Sequence, residues 1–368
     1  MKNLFIISAL FVSFSTLAAK PRLLLRYSDV DSWNLPLGHT CFNNTPSSFN
    51  NEIFIRCSDG DSDKIFMIAN NRTEEILKSR SGYLFSDPTA TMDGILWSEY
   101  AEGGTVGIFK YSDNQMKKIA FKPSGLIDGL TQIEKDSYIF RWRDWDGQQH
   151  LENWKTTLQT WNDHTERSFA FAPVGAKGQL AYKLRLQSLN ERSPDMIYWW
   201  KDLSSAPLVL KDKDADATSV WTSFRNMVSL SGSSLIFVGS KEKSEALAMM
   251  NLEGKVQVLA ETGVDLKEID YFSPSANKQQ MVLFRGIDKQ GLKTLYFWNK
   301  GKLTHLLKQG DVIKTDKGSA RVDYEDPQAI FMSSAYIDES RAMIQVALVD
   351  IDHRDTLIGV GLVEISLK

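Results

Sequence analysis

Five stretches of this sequence align with one another, and that internal repetition limits the fold more than any other property of the chain. They are residues 52–78, 94–121, 181–211, 234–261 and 281–308. Each reads as an apolar run, a polar loop, a second apolar run, a tight turn and a third run. The turns Asn251-Leu252-Glu253-Gly254 and Asn299-Lys300-Gly301 carry the Asn and Gly that tolerate the positive φ of a β-hairpin. Flanking residues alternate apolar and polar, as in Lys255-Val256-Gln257-Val258-Leu259, which is a strand period. Less regular copies occupy 137–171 and 328–367, the latter with strands near 342–348 and 357–366.

A further short apolar stretch precedes each unit, for example Gly82-Tyr83-Leu84-Phe85-Ser86 and Glu268-Ile269-Asp270-Tyr271-Phe272-Ser273. It brings each unit to four strands, and four-stranded units repeated about an axis are propeller blades. The chain is therefore read as all-β: a single β-propeller over residues 20–368, with seven four-stranded blades. The last unit has only three strands, while Leu23-Leu24-Leu25-Arg26-Tyr27 has no partner at the other end. That N-terminal strand is expected to complete the last blade, close the ring and remove its open edges. Two stacked β-sandwiches are the alternative, which the regular spacing and complementary ends disfavour.

The run from Tyr271-Phe272-Ser273-Pro274 through Met281-Val282-Leu283-Phe284-Arg285 resembles the blade signature of TolB-type periplasmic propellers. In that signature an aromatic-Ser-Pro turn precedes a short polar hairpin and an apolar strand. Phe85-Ser86-Asp87-Pro88 followed by Asp93-Gly94-Ile95-Leu96-Trp97 is a looser copy, and residues 295–303 are similar to strand repeats of exported bacterial propellers. The resemblance implies fold and compartment and carries no catalytic residues.

Export is also expected from the chain's start. Met1-Lys2-Asn3 is basic, residues 4–12 are apolar, and Thr16-Leu17-Ala18-Ala19 is small and polar, the order of a secretory signal peptide cleaved near residue 19. The apolar run is too short to span a bilayer, so the mature chain is expected in the periplasm or outside the cell. The only two cysteines, Cys41 and Cys57, are then expected to form a structural disulfide, because that compartment is oxidising. A formal net charge of −3 argues against nucleic acid, which demands a basic surface.

Catalytic signatures such as G-x-S-x-G, H-E-x-x-H and the phosphate-binding G-x-x-x-x-G-K-[ST] do not occur, and no cofactor or metal site is expected. His39, His150, His164, His305 and His353 lack metal-ligand spacing, and Gly359-Val360-Gly361 reads as strand glycines. The acidic runs 59–63, 212–216 and 350–355 lack the Gly and Glu of a calcium loop and read as solvated turns. Two surfaces remain as candidate ligand sites. One is Arg143-Asp144-Trp145-Asp146, where an aromatic ring among charges could stack on a sugar or grip a peptide. The other pairs the long connections 29–50 and 309–326, offering Trp33, His39, Asp311, Arg321, Asp323, Tyr324, Glu325 and Asp326. The expectation is a monomeric, non-enzymatic propeller binding a protein, peptide or glycan through loops on one face. The alternatives are a glycan hydrolase or lyase using carboxylates such as Asp144, Asp146, Asp323 and Asp326, and a structural component of a cell-envelope assembly.

Overall fold

The computed structural model describes residues 20–101, 104–120, 125–143, 148–153, 157–162, 168–186, 194–324, 330–353 and 356–367. The expected signal peptide, residues 144–146, His164, Glu325 and Asp326 lie outside the described residues. All regular elements described are β-strands, gathered into seven sheets in a propeller-like arrangement. Six sheets follow in chain order as blades: residues 47–78, 84–120, 126–162, 168–211, 223–261 and 268–308. The aligned repeats supply the second to fourth strands of blades one, two, four, five and six.

Each blade is covered on both faces by its neighbours, which is why second strands such as Ile53-Phe54-Ile55 and Leu235-Ile236-Phe237 are apolar at every position. The core lies in the gaps between blades. Ala181, Ile197 and Trp199 of blade four, for instance, pack on Leu235, Phe237 and Ala248 of blade five. In blades two, four, five and six the innermost strand is broken in two, whereas blade three keeps it whole as Leu126–Glu134. Leu84–Phe85 is followed by Thr89–Ala90, Ser168–Ala170 by Val174–Ala176, and Glu268–Ile269 by Ser275–Ala276. Pro88, Pro173 and Pro274 stand in those breaks, where a residue without an N–H cannot sustain the ladder.

The broken strand exposes backbone groups to the preceding blade, which grips them. Arg56 donates to the Phe85 carbonyl at 2.8 Å while Asp63 accepts the Phe85 N–H at 2.7 Å. Lys183 donates to the Phe224 carbonyl at 2.5 Å while Asp195 accepts the Phe224 N–H at 3.1 Å. Arg141 and Gln149 hold the carbonyl and N–H of Ala170 in the same manner. Arg285 reaches the Ser333 carbonyl, and Gln345 crosses the ring closure to the carbonyls of Cys41 and Asn44. Five second strands thus end three apolar residues with a polar side chain that bridges to the next sheet.

The seventh sheet corrects the expectation of seven equal blades. The N-terminal strand Arg22–Tyr27 does pair antiparallel with Leu357–Ser366, which pairs with Arg341–Asp350 and then Tyr336–Ile337. Residues read as a long loop, however, form a hairpin, Val312–Thr315 and Gly318–Val322. The hairpin pairs with the far end of Arg341–Asp350 and returns to Arg22 through Lys314. Five strands therefore close on one another like a small barrel beside six blades. The physical cause is alternation: Ile313, Ala320 and Val322 turn inward onto Leu23, Leu348 and Val363. Gly361 leaves room for this, since a Cβ there would lie 2.6 Å from Leu23 Cδ1 and 2.8 Å from Leu348 Cδ1. Arg26, 1% exposed, locks the hairpin tip by a two-pronged bond to Asp316 and a third to Asp31.

Cys41 and Cys57 are disulfide-bonded, tying the 28–46 connection to blade one. No helix among the described residues is long and apolar enough to cross a membrane.

Candidate functional site

The sheets surround a channel with two unlike mouths. One mouth is ringed by the turns that join first and second strands, and its cavity of about 740 Å³ is lined from all seven sheets. Positive-φ pairs such as Asn50-Asn51 make these turns tight. Their polar side chains are used on each other. Ser48 donates to Asp338 (2.9 Å), Asn277 to the Asp338 carbonyl (2.8 Å) and Ser231 to the Asn277 carbonyl (2.5 Å). Gln179 donates to the Gly232 carbonyl (3.0 Å), the Gly175 N–H to Thr131 (2.8 Å) and Gln132 to Asp93 (2.9 Å). Ser47 to the Pro88 carbonyl completes the circuit. Burial alone would raise the Asp338 carboxyl, but the Ser340 N–H and Arg341 outweigh it and hold it ionised below its ordinary range. This mouth is a hydrogen-bonded collar.

The other mouth lies on the side of the links between sheets. Two cavities meet there, sharing Met227 as a common wall. The larger, about 610 Å³, is lined by Arg56, Asp87, Tyr100, Thr131 and Pro173 among others. The smaller, about 230 Å³, has Arg225, Tyr271, Phe272 and Pro274. Tyr271 is 77% exposed and Met227 41%, so apolar and aromatic surface faces solvent beside charge. Arg56 Nε lies 3.2 Å from Asp87 Oδ1, and the Thr45 N–H donates to Asp87 Oδ2 at 2.9 Å. Burial pushes the Asp87 carboxyl above its ordinary value against the pull of those donors. The result is a crescent with aromatic walls, a charged pair and a carboxyl that takes a proton more readily than usual.

The residues singled out from sequence do not assemble into one pocket. His39 is buried, its Nε2 2.7 Å from Lys64 Nζ and its ring edge-on to Phe66. Its Nδ1 faces the Pro36 carbonyl, so the ring joins connection to blade. Trp33 extends the edge of the N-terminal strand opposite Arg26, half exposed. Asp323 accepts from Gln309, Arg321 donates to the Gly310 carbonyl, and Tyr324 packs between two cores. The Lys308 N–H donates to Asp311. Arg143 stands exposed at the end of its strand on the same face as the crescent, and Trp142 packs on His150 with centroids 4.3 Å apart. The two long connections do meet, through Arg26, Asp31, Asp316 and Lys317. The acidic runs cap their own turns. Asp59, Asp212 and Asp350 each accept backbone N–H groups two and three residues on. No group of three or more possible metal ligands gathers among the described residues.

Sequence reading missed the crescent, though one signal for it was present. The aromatic-Ser-Pro turn at 271–274 and its looser copy at 85–88 mark where the inner strands of blades six and two break, and residues of both turns line the mouth.

No protein-family model matches the chain, and no curated protein matches its sequence. Among solved structures, the polysaccharide lyase Uly1 matches 92% of this chain and 93% of its own at 8% identity and a TM-score of 0.53. A chain of a mitotic checkpoint complex matches 100% of this chain and 96% of its own at 9% identity and 0.49. The SapL1 lectin, solved with alpha methyl fucoside, matches 73% of this chain and 96% of its own at 12% identity and 0.44. The likeness to the lyase is one of fold, and the architecture described above is that of a β-propeller.

Proposed function

We propose that the chain is an exported, non-enzymatic propeller that binds a glycan in the crescent around Met227 and Tyr271. The observation that carries this reading is the contrast between the two mouths. At one, polar groups are consumed by the collar; at the other, exposed Tyr271 and Met227 line one cavity, and Met227 joins it to the cavity that holds the Arg56–Asp87 pair. Sugar rings present C–H faces that stack on aromatic walls and hydroxyls that bond to charged planar groups, and this crescent offers both. Arg143 stands at the outer rim of the same face, while Trp33, His39, Arg321, Asp323 and Tyr324 hold the ring closure. The barrel-like sheet counts as a seventh blade with a hairpin inserted. The Cys41–Cys57 disulfide is consistent with an oxidising compartment outside the cytoplasm.

Calorimetric titration with a panel of neutral and uronate oligosaccharides tests the reading. At least one is expected to give saturable heat, with affinity falling about tenfold or more in Tyr271→Ala at unchanged melting temperature. A blank panel, or binding indifferent to Tyr271→Ala and Met227→Ala, would sink it. A second reading, glycan cleavage, draws on the proton-retentive Asp87 carboxyl beside Arg56 and on the fold shared with a polysaccharide lyase. New reducing ends or unsaturated products that vanish in Asp87→Asn would establish it in place of the first.

A further inference from the structure

We propose that the cavity at the ring closure is a docking site for a basic, apolar-anchored segment of a partner polypeptide, separate from the crescent. This cavity, about 880 Å³, opens where the first and last strands of the chain meet. Its floor is Tyr27 and Val360, from those two strands, and both are buried. Its walls come from the 28–42 connection, Lys317 at the hairpin tip, and Asp350 and Leu357.

Two properties of the lining define the occupant. The first is apolar exposure that folding has left uncovered: Val30 is 84% exposed, Phe42 53% and Leu357 44%. Three such side chains around one cavity form a patch rather than scattered surface residues. The second is charge. Among the described lining residues, Asp29, Asp31 and Asp350 stand against one cation, Lys317, which is bound to Asp31 at 2.6 Å. Arg26 also bonds Asp31, so that carboxylate is compensated. Asp29 is exposed, and the backbone N–H groups of Asp352 and His353, with the His353 ring 3.4 Å away, hold the Asp350 carboxyl below its ordinary range.

Apolar contacts alternating with carboxylates match an extended segment in which Lys or Arg alternates with large apolar residues. A second copy of this chain fits poorly, since a face-to-face pair would bring acidic rim against acidic rim. The floor spans both chain ends, so an occupant also clamps the ring closure and raises its stability by mass action.

The test uses a fluorescein-labelled nonapeptide of alternating Lys and Leu with a central Phe, and fluorescence anisotropy. Two control peptides replace Lys by Glu, or Leu and Phe by Ser. The basic-apolar peptide is expected to bind saturably, to weaken as salt rises, and to bind about tenfold or more tightly than either control. Val30→Ser and Asp29→Lys, both at exposed positions, are expected to weaken it with unchanged melting of the free protein, while Tyr271→Ala leaves it intact. Equal binding of all three peptides, no binding of any, or full affinity in Val30→Ser and Asp29→Lys overturns the proposal. So does a concentration-dependent dimer, seen by sedimentation, that Val30→Ser dissolves.

Discussion

The buried pair Lys183–Asp195 offers the sharpest test of how the blades are held together. Lys183 is 0% exposed and Asp195 1%, with Nζ and Oδ2 2.8 Å apart. Together they grip both backbone groups of Phe224 in the next blade. Asp195→Asn preserves shape and the acceptor for the Phe224 N–H but strips Lys183 of its counter-charge. An ammonium then stays buried with only the Phe224 carbonyl and Asn226 as partners. Breaking a buried pair in this way costs about 3–5 kcal/mol. Lys183→Met is milder, because Asp195 retains Arg185 at 2.7 Å and the losses are the neutral acceptors on the Phe224 carbonyl and Asn226, about 1–3 kcal/mol. The double variant leaves no fully buried charge unpaired, only the one-third-exposed Arg185, so the two changes should couple by about 2–3 kcal/mol in urea denaturation. An Asp195→Asn cost below about 1 kcal/mol, or additive single variants, would refute the reasoning. The pH dependence has a definite sign. Burial alone would raise Asp195, but Arg185 and Lys183 outweigh it and hold the carboxyl below its ordinary value of 3.8. Its contribution is full above that value and disappears as pH falls through the lower folded one, so wild type and Asp195→Asn should converge in acid.

Further outcomes follow from other features. Replacing Cys41 and Cys57 by Ser opens a loop of 16 residues and should cost about 3 kcal/mol by chain entropy, measured as the gap between oxidised wild type and variant in denaturant. At Asp87 the folded state holds its proton more tightly than the unfolded chain does, so that stabilising contribution fades as pH climbs through the raised folded value. Asp87→Asn should therefore melt higher than wild type in neutral buffer and equal to it in acid; a lower melting point at neutrality would contradict this. Gly361→Ala forces a methyl onto Leu23 and Leu348 and should cost about 1–3 kcal/mol, with earlier protease cutting near the N-terminal strand.

The repeats, the hairpin turns, the disulfide and the pairing of the chain ends were legible because each rests on local chemistry: strand period, Asn-Gly turns, cysteine count, an unpartnered strand. The broken inner strands were not, since two-residue strands such as Leu84–Phe85 carry too few positions to show a period. What holds them is a side chain tens of residues away, as Arg56 holds Phe85. The signal was nevertheless present as Arg56, Arg141, Lys183 and Arg285, each closing an apolar run that alternation alone would have continued. The hairpin 312–322 was read as a loop because its turn, Asp316-Lys317-Gly318, sits among charges, although Ile313, Ala320 and Val322 alternate across it. Candidate residues such as His39 and Tyr324 were chosen for polarity and loop position, and burial by distant strands turned them into structural contacts.

The pairing of Arg22–Tyr27 with Leu357–Ser366 also sets the order in which the molecule can assemble. Arg22 and Glu364 are 342 residues apart, so the earlier strand waits for one made 342 residues later. Until Leu357–Ser366 has been made, the Arg22–Tyr27 strand carries unsatisfied backbone groups and a row of leucines. Contacts of such sequence separation are slow to form, and their late arrival makes folding a race against aggregation. A circular permutant that joins the two ends by a short linker and opens the chain in a surface turn of blade four would convert that closure into a local hairpin. It should refold faster than the natural order of strands while melting at a similar temperature.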